Sequence, residues 1–150
     1  MPSVSDFVSR FEDDGLQDGL NMPYSLEAEQ AVLGSILLDP QCIYSVADVL
    51  RPDHFYLKEH QAIYRVMVTK MAESQTIDFV TVLEALKSDG FFSGDEGKAY
   101  LLKLAQFVPS ISNVGHYARI VREKYDVRCL IKAAREIMDD AMDPSIEPSV

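Results

Sequence analysis

The stretch SLEAEQAVLGSILLDPQC, residues 25–42, decides how the chain is read. Ser25 can accept the free backbone N–H groups of a first helical turn, and Glu27 and Glu29 stand where the helix dipole favours negative charge. A full capping box is absent, because Ala28 occupies the third position after Ser25. Ala28, Ala31, Val32, Ser35 and Ile36 follow at steps of three and four, and Leu33, Leu37 and Leu38 widen the stripe. A stripe that wide predicts contacts on more than one side. Gly34 costs about 1 kcal/mol of helix propensity relative to alanine. Small residues at 28, 31, 34 and 35 let another backbone come close, so the glycine reads as a packing position. Asp39-Pro40 stops this helix and opens a second, with Asp39 as cap and Pro40 in the first position, where a missing N–H does no harm.

Downstream, Ile43, Val46, Ala47 and Leu50 form the inner face of the second helix, which ends at Pro52. RPDHFYLKEH is a turn. A third helix over about 59–71 is lined by Ile63, Tyr64, Met67 and Met71. Asp78 caps a fourth, with Val82, Leu83 and Leu86 inward and Gly90 past its end. FFSGDEG is a loop, and Tyr100, Leu101, Leu104 and Ala105 mark a fifth helix that stops before Pro109. No strand alternation competes with these helices; the short run IDFVTV follows the helical pattern.

The last helix starts at Asn113 as cap and keeps its period to about Ala141, roughly 28 residues or 42 Å. Ile120, Val127, Leu130, Ala134, Ile137 and Ala141 recur at steps of seven, three, four, three and four, a seam that wants a partner helix. Tyr117 and Val121 can fasten the near end to the upstream helices. The far half is expected to project, because PSIEPSV after Asp143 offers nothing apolar and periodic to cover it. The expected fold class is all-α, a compact multi-helix head followed by a long protruding helix.

A chain of 150 residues with 47% apolar and 25% charged residues suits one hydrophobic core. No apolar run approaches the roughly 18 to 20 residues of a membrane helix, and acids stand where a signal peptide carries lysines. A cytoplasmic protein without a membrane association is therefore expected. The formal charge of −10, from 24 acids and 14 bases, repels phosphate chains and argues against direct strong nucleic-acid binding. Residues 113–143 are neutral, so the acidic excess lies almost entirely upstream, where a basic protein surface is the better partner. Cys42 and Cys129 each stand alone in an apolar helical pattern and are expected to be buried, inert thiols. Residues 1–21 carry a weak apolar spacing at Val4, Phe7, Val8 and Phe11, then acids and two glycines, and read as a flexible acidic extension.

Catalytic patterns are poor. Asp13-Asp14 and Asp139-Asp140 are sequence neighbours, which do not face the same way on a helix. His54 and His60, with Glu59 beside them, lack the three or four convergent ligands of a metal site. His54 is expected to pack beside Phe55 and hydrogen-bond locally, and His60 to cap or stack at the start of the third helix. Gly94-Asp95-Glu96-Gly97-Lys98 fails as a phosphate loop: its glycines are too close, Ala99 replaces the hydroxyl that would hold magnesium, and two acids would repel a nucleotide. Ser110 and Ser112 stand far from any histidine–carboxylate arrangement. Phe55, Tyr56, Phe91, Phe92 and Phe107 are expected mostly in the core, with a minority free to form a docking patch.

Several segments together resemble one family. MPYSLEAEQAVLGSILLDP, RPDHFYLKEHQAIY, TIDFVTVLEAL, AYLLKLAQFVPSISNVGHYARIVREK and RCLIKAAREI run in unbroken order over about residues 22–141. They resemble the N-terminal domain of bacterial replicative DNA helicases of the DnaB type. Ala28-Glu29-Gln30 with Leu33-Gly34, and Asn113 with Tyr117-Ala118, Ile120-Val121 and Glu123-Lys124, carry most of the likeness.

The resemblance implies a helical head over 22–110, the first arm of a helical hairpin over 111–143, and a turn or linker over 144–150. It implies self-association through paired hairpins in a hexameric collar, and docking of the primase C-terminal helicase-binding domain at the replication fork. The second arm and the ATP- and Mg-dependent unwinding motor would lie outside these residues. No catalytic, cofactor or metal residue carries over, and this piece alone is expected to be a monomer or weak dimer. Protein contacts are expected on the arm and its junction, at Tyr117, Val121, Val127, Arg128, Leu130, Ile131, Ala134, Arg135, Ile137 and Met138. The alternative is an independent all-helical adaptor.

Overall fold

The computed structural model describes residues 22–92 and 95–145. The expectations for residues 1–21 and for 146–150 lie outside that range. Among the described residues there are six α-helices and no strand: α1 (Leu26–Leu38), α2 (Cys42–Ala47), α3 (Lys58–Ala72), α4 (Phe79–Ser88), α5 (Asp95–Phe107) and α6 (Val114–Met142).

Helix α1 is the axis of the head. Every residue from Ala28 to Ile36 is buried, because α5 and α6 pack along it while α2 and α3 close other sides. The Ser25 hydroxyl accepts from Ala28 N–H at 3.2 Å, the cap expected from the sequence. Gly34 explains how two helices come so close. A Cβ built there would stand 2.1 Å from the Leu104 carbonyl oxygen and 2.6 Å from Val108 Cγ2. The neighbour is backbone of α5, which cannot swing aside as a long side chain can. Gly97 does the same on a smaller scale, with Phe92 Cβ 2.9 Å from its missing Cβ.

The boundaries differ from the periodic reading in informative places. Pro40 and Gln41 form a turn, and α2 begins at Cys42 rather than at the proline; Asp39 Oδ1 accepts from Gln41 N–H. α2 ends at Ala47, and Pro52 opens a short 3-10 turn (Pro52–His54) instead of ending the helix. Helix α4 starts as expected, with Asp78 and Thr81 exchanging cap hydrogen bonds at 2.8 and 3.2 Å. Asp95, Glu96 and Gly97 belong to the first turn of α5, not to a loop. Asn113 stands at the start of α6 but its side chain makes no cap hydrogen bond; a 3-10 turn (Ile111–Asn113) leads the chain in.

Helix α6 has 29 residues, roughly 44 Å of rod. Val114, Ala118 and Val121 are buried and join the head core, as does Arg128 at their register; beyond Arg128 no residue of α6 is buried. About half the rod therefore projects.

Gly34→Ala gains helix propensity yet places a methyl against the α5 backbone. Overpacking should dominate, lowering stability by about 1–3 kcal/mol. Urea unfolding checks it, and an equal or higher midpoint would refute the close-contact account.

Candidate functional site at the joint of head and arm

Three polar side chains of the interior, from α1, α3 and α5, form a connected line. Glu29 is buried on α1, and its Oε2 accepts from Tyr56 N–H at 2.9 Å, with Leu57 N–H directed to Oε1 at 3.5 Å. His60 Nδ1, on α3, lies 2.8 Å from Oε1; a carboxylate only accepts, so the imidazole donates. On its other side His60 Nε2 meets the Tyr100 hydroxyl of α5 in a short hydrogen bond. Burial pushes the Tyr100 phenol up, opposed by a hydrogen bond with Gln30 and aided by the Glu29 and Glu59 carboxylates, so it remains a proton donor. A carboxylate–imidazole–phenol line has the composition of a proton relay. All three side chains are sealed, however, and no reacting group can reach them. What the line does is tie α1, α3 and α5 together.

His60 does stack at the helix start, its ring parallel to that of Tyr100 and edge-on to Phe55, but its hydrogen bonds reach well outside the turn. Its partners lie 31 and 40 residues away in sequence, beyond any local pattern. His54 does bond locally: Nδ1 accepts from Arg51 N–H at 2.9 Å. That leaves the proton on Nε2, which has no partner among the described residues. Its ring rests on Tyr125 of α6, with centroids 4.5 Å apart, rather than beside Phe55. The two histidines thus serve different partners. Among the described residues no three His, Cys, Asp or Glu side chains could hold a metal ion.

Arg128 closes the joint. It is only 6% exposed, and its Nη1 and Nη2 donate to the Pro23 and His54 carbonyls, each at 2.9 Å. The guanidinium lies over the rings of Tyr56 and Tyr125, at 5.2 and 5.7 Å, while Tyr24 stacks on Tyr56 at 4.3 Å. Burial lowers its pKa, partly offset by the Glu29 carboxylate. Beside it a shallow cleft of about 200 Å³ is lined by Met22, Asp53, Tyr125 and Lys132, among others.

The residues named from sequence as contact candidates divide sharply. Val121 lies in the core, Arg128 is buried and bonds within the chain, and Tyr117 packs half-buried against the core. Ile131 and Arg135 are half-buried. Val127, Leu130, Ala134, Ile137 and Met138 are exposed, with Leu130 at 69% and Ile137 at 68%. Met142, at 78%, extends the same bare region. Cys42 is buried, whereas Cys129 is exposed, because it follows the last head contact on α6. Phe55 and Phe92 are core residues, Tyr56 is half-buried, and Phe91 and Phe107 are exposed.

Asp95–Lys98 do not fit a nucleotide. They are helical, they present two carboxylates at a helix N-terminus, and Gly97 is filled by Phe92 and Leu83. No helix among the described residues is long and apolar enough to cross a membrane.

Tyr100→Phe removes the hydroxyl that satisfies His60 Nε2 inside the core. It should cost about 1–3 kcal/mol in chemical denaturation; unchanged stability would mean the line is not structural. Burial, then Arg122 and Arg51, hold the His54 imidazole below its ordinary 6.5 against Asp53 and Asp126. Neutral His54 thus contributes stability above pH 6.5 that is lost as pH falls through its lower folded value. Urea midpoints between pH 7 and 5 should fall less steeply in His54→Gln than in the parent; equal slopes would exclude His54 as a source.

Residues 21–123 match the family described as the DnaB-like helicase N-terminal domain. The chain is 41% identical over 118 residues to the replicative DNA helicase DnaB of Geobacillus stearothermophilus, covering 79% of this chain and 26% of the relative. It is 40% identical over the same length to the replicative DNA helicase DnaC of Bacillus subtilis, with the same coverage. It spans about a quarter of the length of these curated relatives. The crystal structure of the N-terminal domain of DnaB helicase from Mycobacterium tuberculosis superposes with a TM-score of 0.76 at 36% identity, covering 80% of this chain and 86% of that one. The chain belongs to the family of DnaB-like helicase N-terminal domains.

Proposed function

We propose that this region is a non-catalytic assembly and docking module of a replicative DNA helicase, acting in the cytoplasm at the replication fork. The observation that carries the reading is the bare side of α6: Val127, Leu130, Ile137 and Met138 stand in water along a helix whose other side is used by its own head. Apolar residues at heptad-like steps bury themselves by pairing with another helix. A second hairpin arm, and then the arms of neighbouring subunits, would supply that cover and build the collar of a hexamer.

Assembly gives docking its use. Several rigid heads carried on one ring would hold several primases near the emerging single strand, raising a weak contact through effective concentrations in the millimolar range. The acidic excess upstream of α6 suits a basic protein partner better than it suits DNA. ATP and Mg²⁺ would be bound by a motor domain elsewhere in the whole protein, and unwinding would be its work.

In the full-length helicase, Leu130→Asp with Ile137→Asp should weaken hexamer assembly at least tenfold, since each buries a charge at the seam. Both positions are exposed here, so the melting of this chain on its own should hardly move. Sedimentation across a concentration series decides it; an unaltered hexamer would remove the seam from the interface. Titration with the primase C-terminal domain tests docking, using this chain and one extended through the second arm. Saturable binding, tighter for the longer chain, is expected, and no binding to either would end the docking part of the reading.

A further inference from the structure

The core contacts of α6 and its projecting length leave a mechanical question: what fixes the direction in which the arm leaves the head? Val114, Ala118 and Val121 anchor only the first two turns, roughly 10 Å of helix. Arg128 lies two turns further, doubling the anchored length to roughly 21 Å. Tyr125, between them, rests on His54 through ring contact alone, which is not directional enough to stop a pivot.

Arg128 is built for the task. One planar group donates to two carbonyls from separate segments, Pro23 ahead of α1 and His54 in the 3-10 turn. Its faces meet Tyr56 and Tyr125. The Tyr56 backbone is in turn held by Glu29, so the anchor connects to the buried line running through His60 to Tyr100. Tyr24, stacked on Tyr56, holds the adjoining Pro23 carbonyl where Arg128 Nη1 donates to it. The strap Met22–Tyr24 is therefore one half of the anchor.

We propose that Arg128 and the strap Met22–Tyr24 form a latch that sets the bearing of the arm, and that lifting the strap frees the arm without unfolding the head. Arg128 is a positioning residue in this role. The inference rests on intramolecular contacts and stands independently of whether the seam pairs with other arms.

The geometry predicts a magnitude. For a given slack at the last anchor, the excursion of the tip scales with free length over anchored length. With Arg128 engaged both lengths are roughly 21 Å; with Val121 as the last anchor they become roughly 32 and 10 Å. Since Tyr125 retains part of its contact, the spread of tip positions should grow about two- to threefold.

Arg128→Lys keeps the charge but loses the fork that reaches two carbonyls at once. Spin labels at Glu84 on the head and Asp139 on the arm, both exposed, read the distance distribution between them. The labels are placed in dilute chain after Cys42→Ala and Cys129→Ser, once near-ultraviolet circular dichroism shows the parent packing retained. A narrow distribution in that background, broadened about two- to threefold by Arg128→Lys and also by Tyr24→Ala, with the head still packed, is the expected result. Should Arg128→Lys lose its near-ultraviolet signal, Tyr24→Ala decides, since it leaves the guanidinium in place. A distribution already broad before substitution, or one that neither variant widens, would overturn the latch. Because the readout is within one chain, failure here leaves the assembly reading intact, and loss of hexamer in the Leu130 and Ile137 variants leaves the latch intact.

Discussion

A carboxylate that water does not reach persists only where donors surround it, because the cost of an isolated buried charge exceeds the whole stability of a domain. Glu29 is such a group, and the head is arranged around satisfying it. Its donors come from the turn before α3 and from α3 itself, and the imidazole that serves it is satisfied in turn by α5. Three elements far apart in sequence are thereby brought to a single relative placement. Apolar packing alone tolerates sliding by fractions of a turn, whereas a directional bond to a buried oxygen does not. The same carboxylate fixes the Tyr56 backbone, and the Tyr56 ring is a face on which Arg128 lies. One acid thus specifies both the interior and the place where the rod meets it.

How far this was legible depends on the kind of signal. Periodicity found the six helices and the bare seam because apolar spacing is local and repeats. Gly34 was legible for a different reason: a costly residue inside a well-capped helix needs a tertiary explanation, and the α5 backbone provides it. Glu29 stands in the first turn of α1 as read from the sequence, but it is also buried. Its place in the first turn of α1 offered a sufficient account through the helix dipole, which concealed the second one. The missed clue was register, since Glu29 shares a face with Val32, Leu33 and Ile36, as His60 does with Ile63, Tyr64 and Met67. Polar residues at core register on two helices should be paired with each other before either is assigned to the surface. Arg128 shows the same failure from the opposite side. It was read as a contact for another protein, and nothing local reveals the two carbonyls and two tyrosines of its own chain that hold it.

The buried line also separates composition from chemistry. Glu29, His60 and Tyr100 have the members and spacing of a proton-transfer chain, yet transfer needs a reacting atom at one end, and both ends are closed. In a sealed interior such a chain contributes specificity instead. Each member satisfies its neighbour, so removing one leaves another unsatisfied, which makes alternative packings expensive. His54 lies outside that line, with one ring nitrogen unpartnered among the described residues. Its ring lies against Tyr125 and its own carbonyl accepts from Arg128, which puts this partly satisfied imidazole at the joint rather than in the core proper.

Helix α6 resolves a conflict that a single amphipathic face could not. A rod that packs on its own head and also offers a seam elsewhere needs two apolar faces that do not compete. The inner register runs Val114, Ala118, Val121, Tyr125 and Arg128, while the bare seam runs Val127, Leu130, Ala134 and Ile137, in register with Ile120, which still packs against the head. At each heptad the seam residue precedes the inner one by a single position, a rotation of about 100° around the helix. That offset lets the seam continue past the point where the inner face ends. The inner face ends on a charged residue, which is the physically sensible choice. An apolar side chain at 128 would bury no charge but would leave the Pro23 and His54 carbonyls unmatched, whereas a guanidinium satisfies both in one geometry. The last buried contact of the rod is therefore directional, and no residue of α6 beyond it is buried.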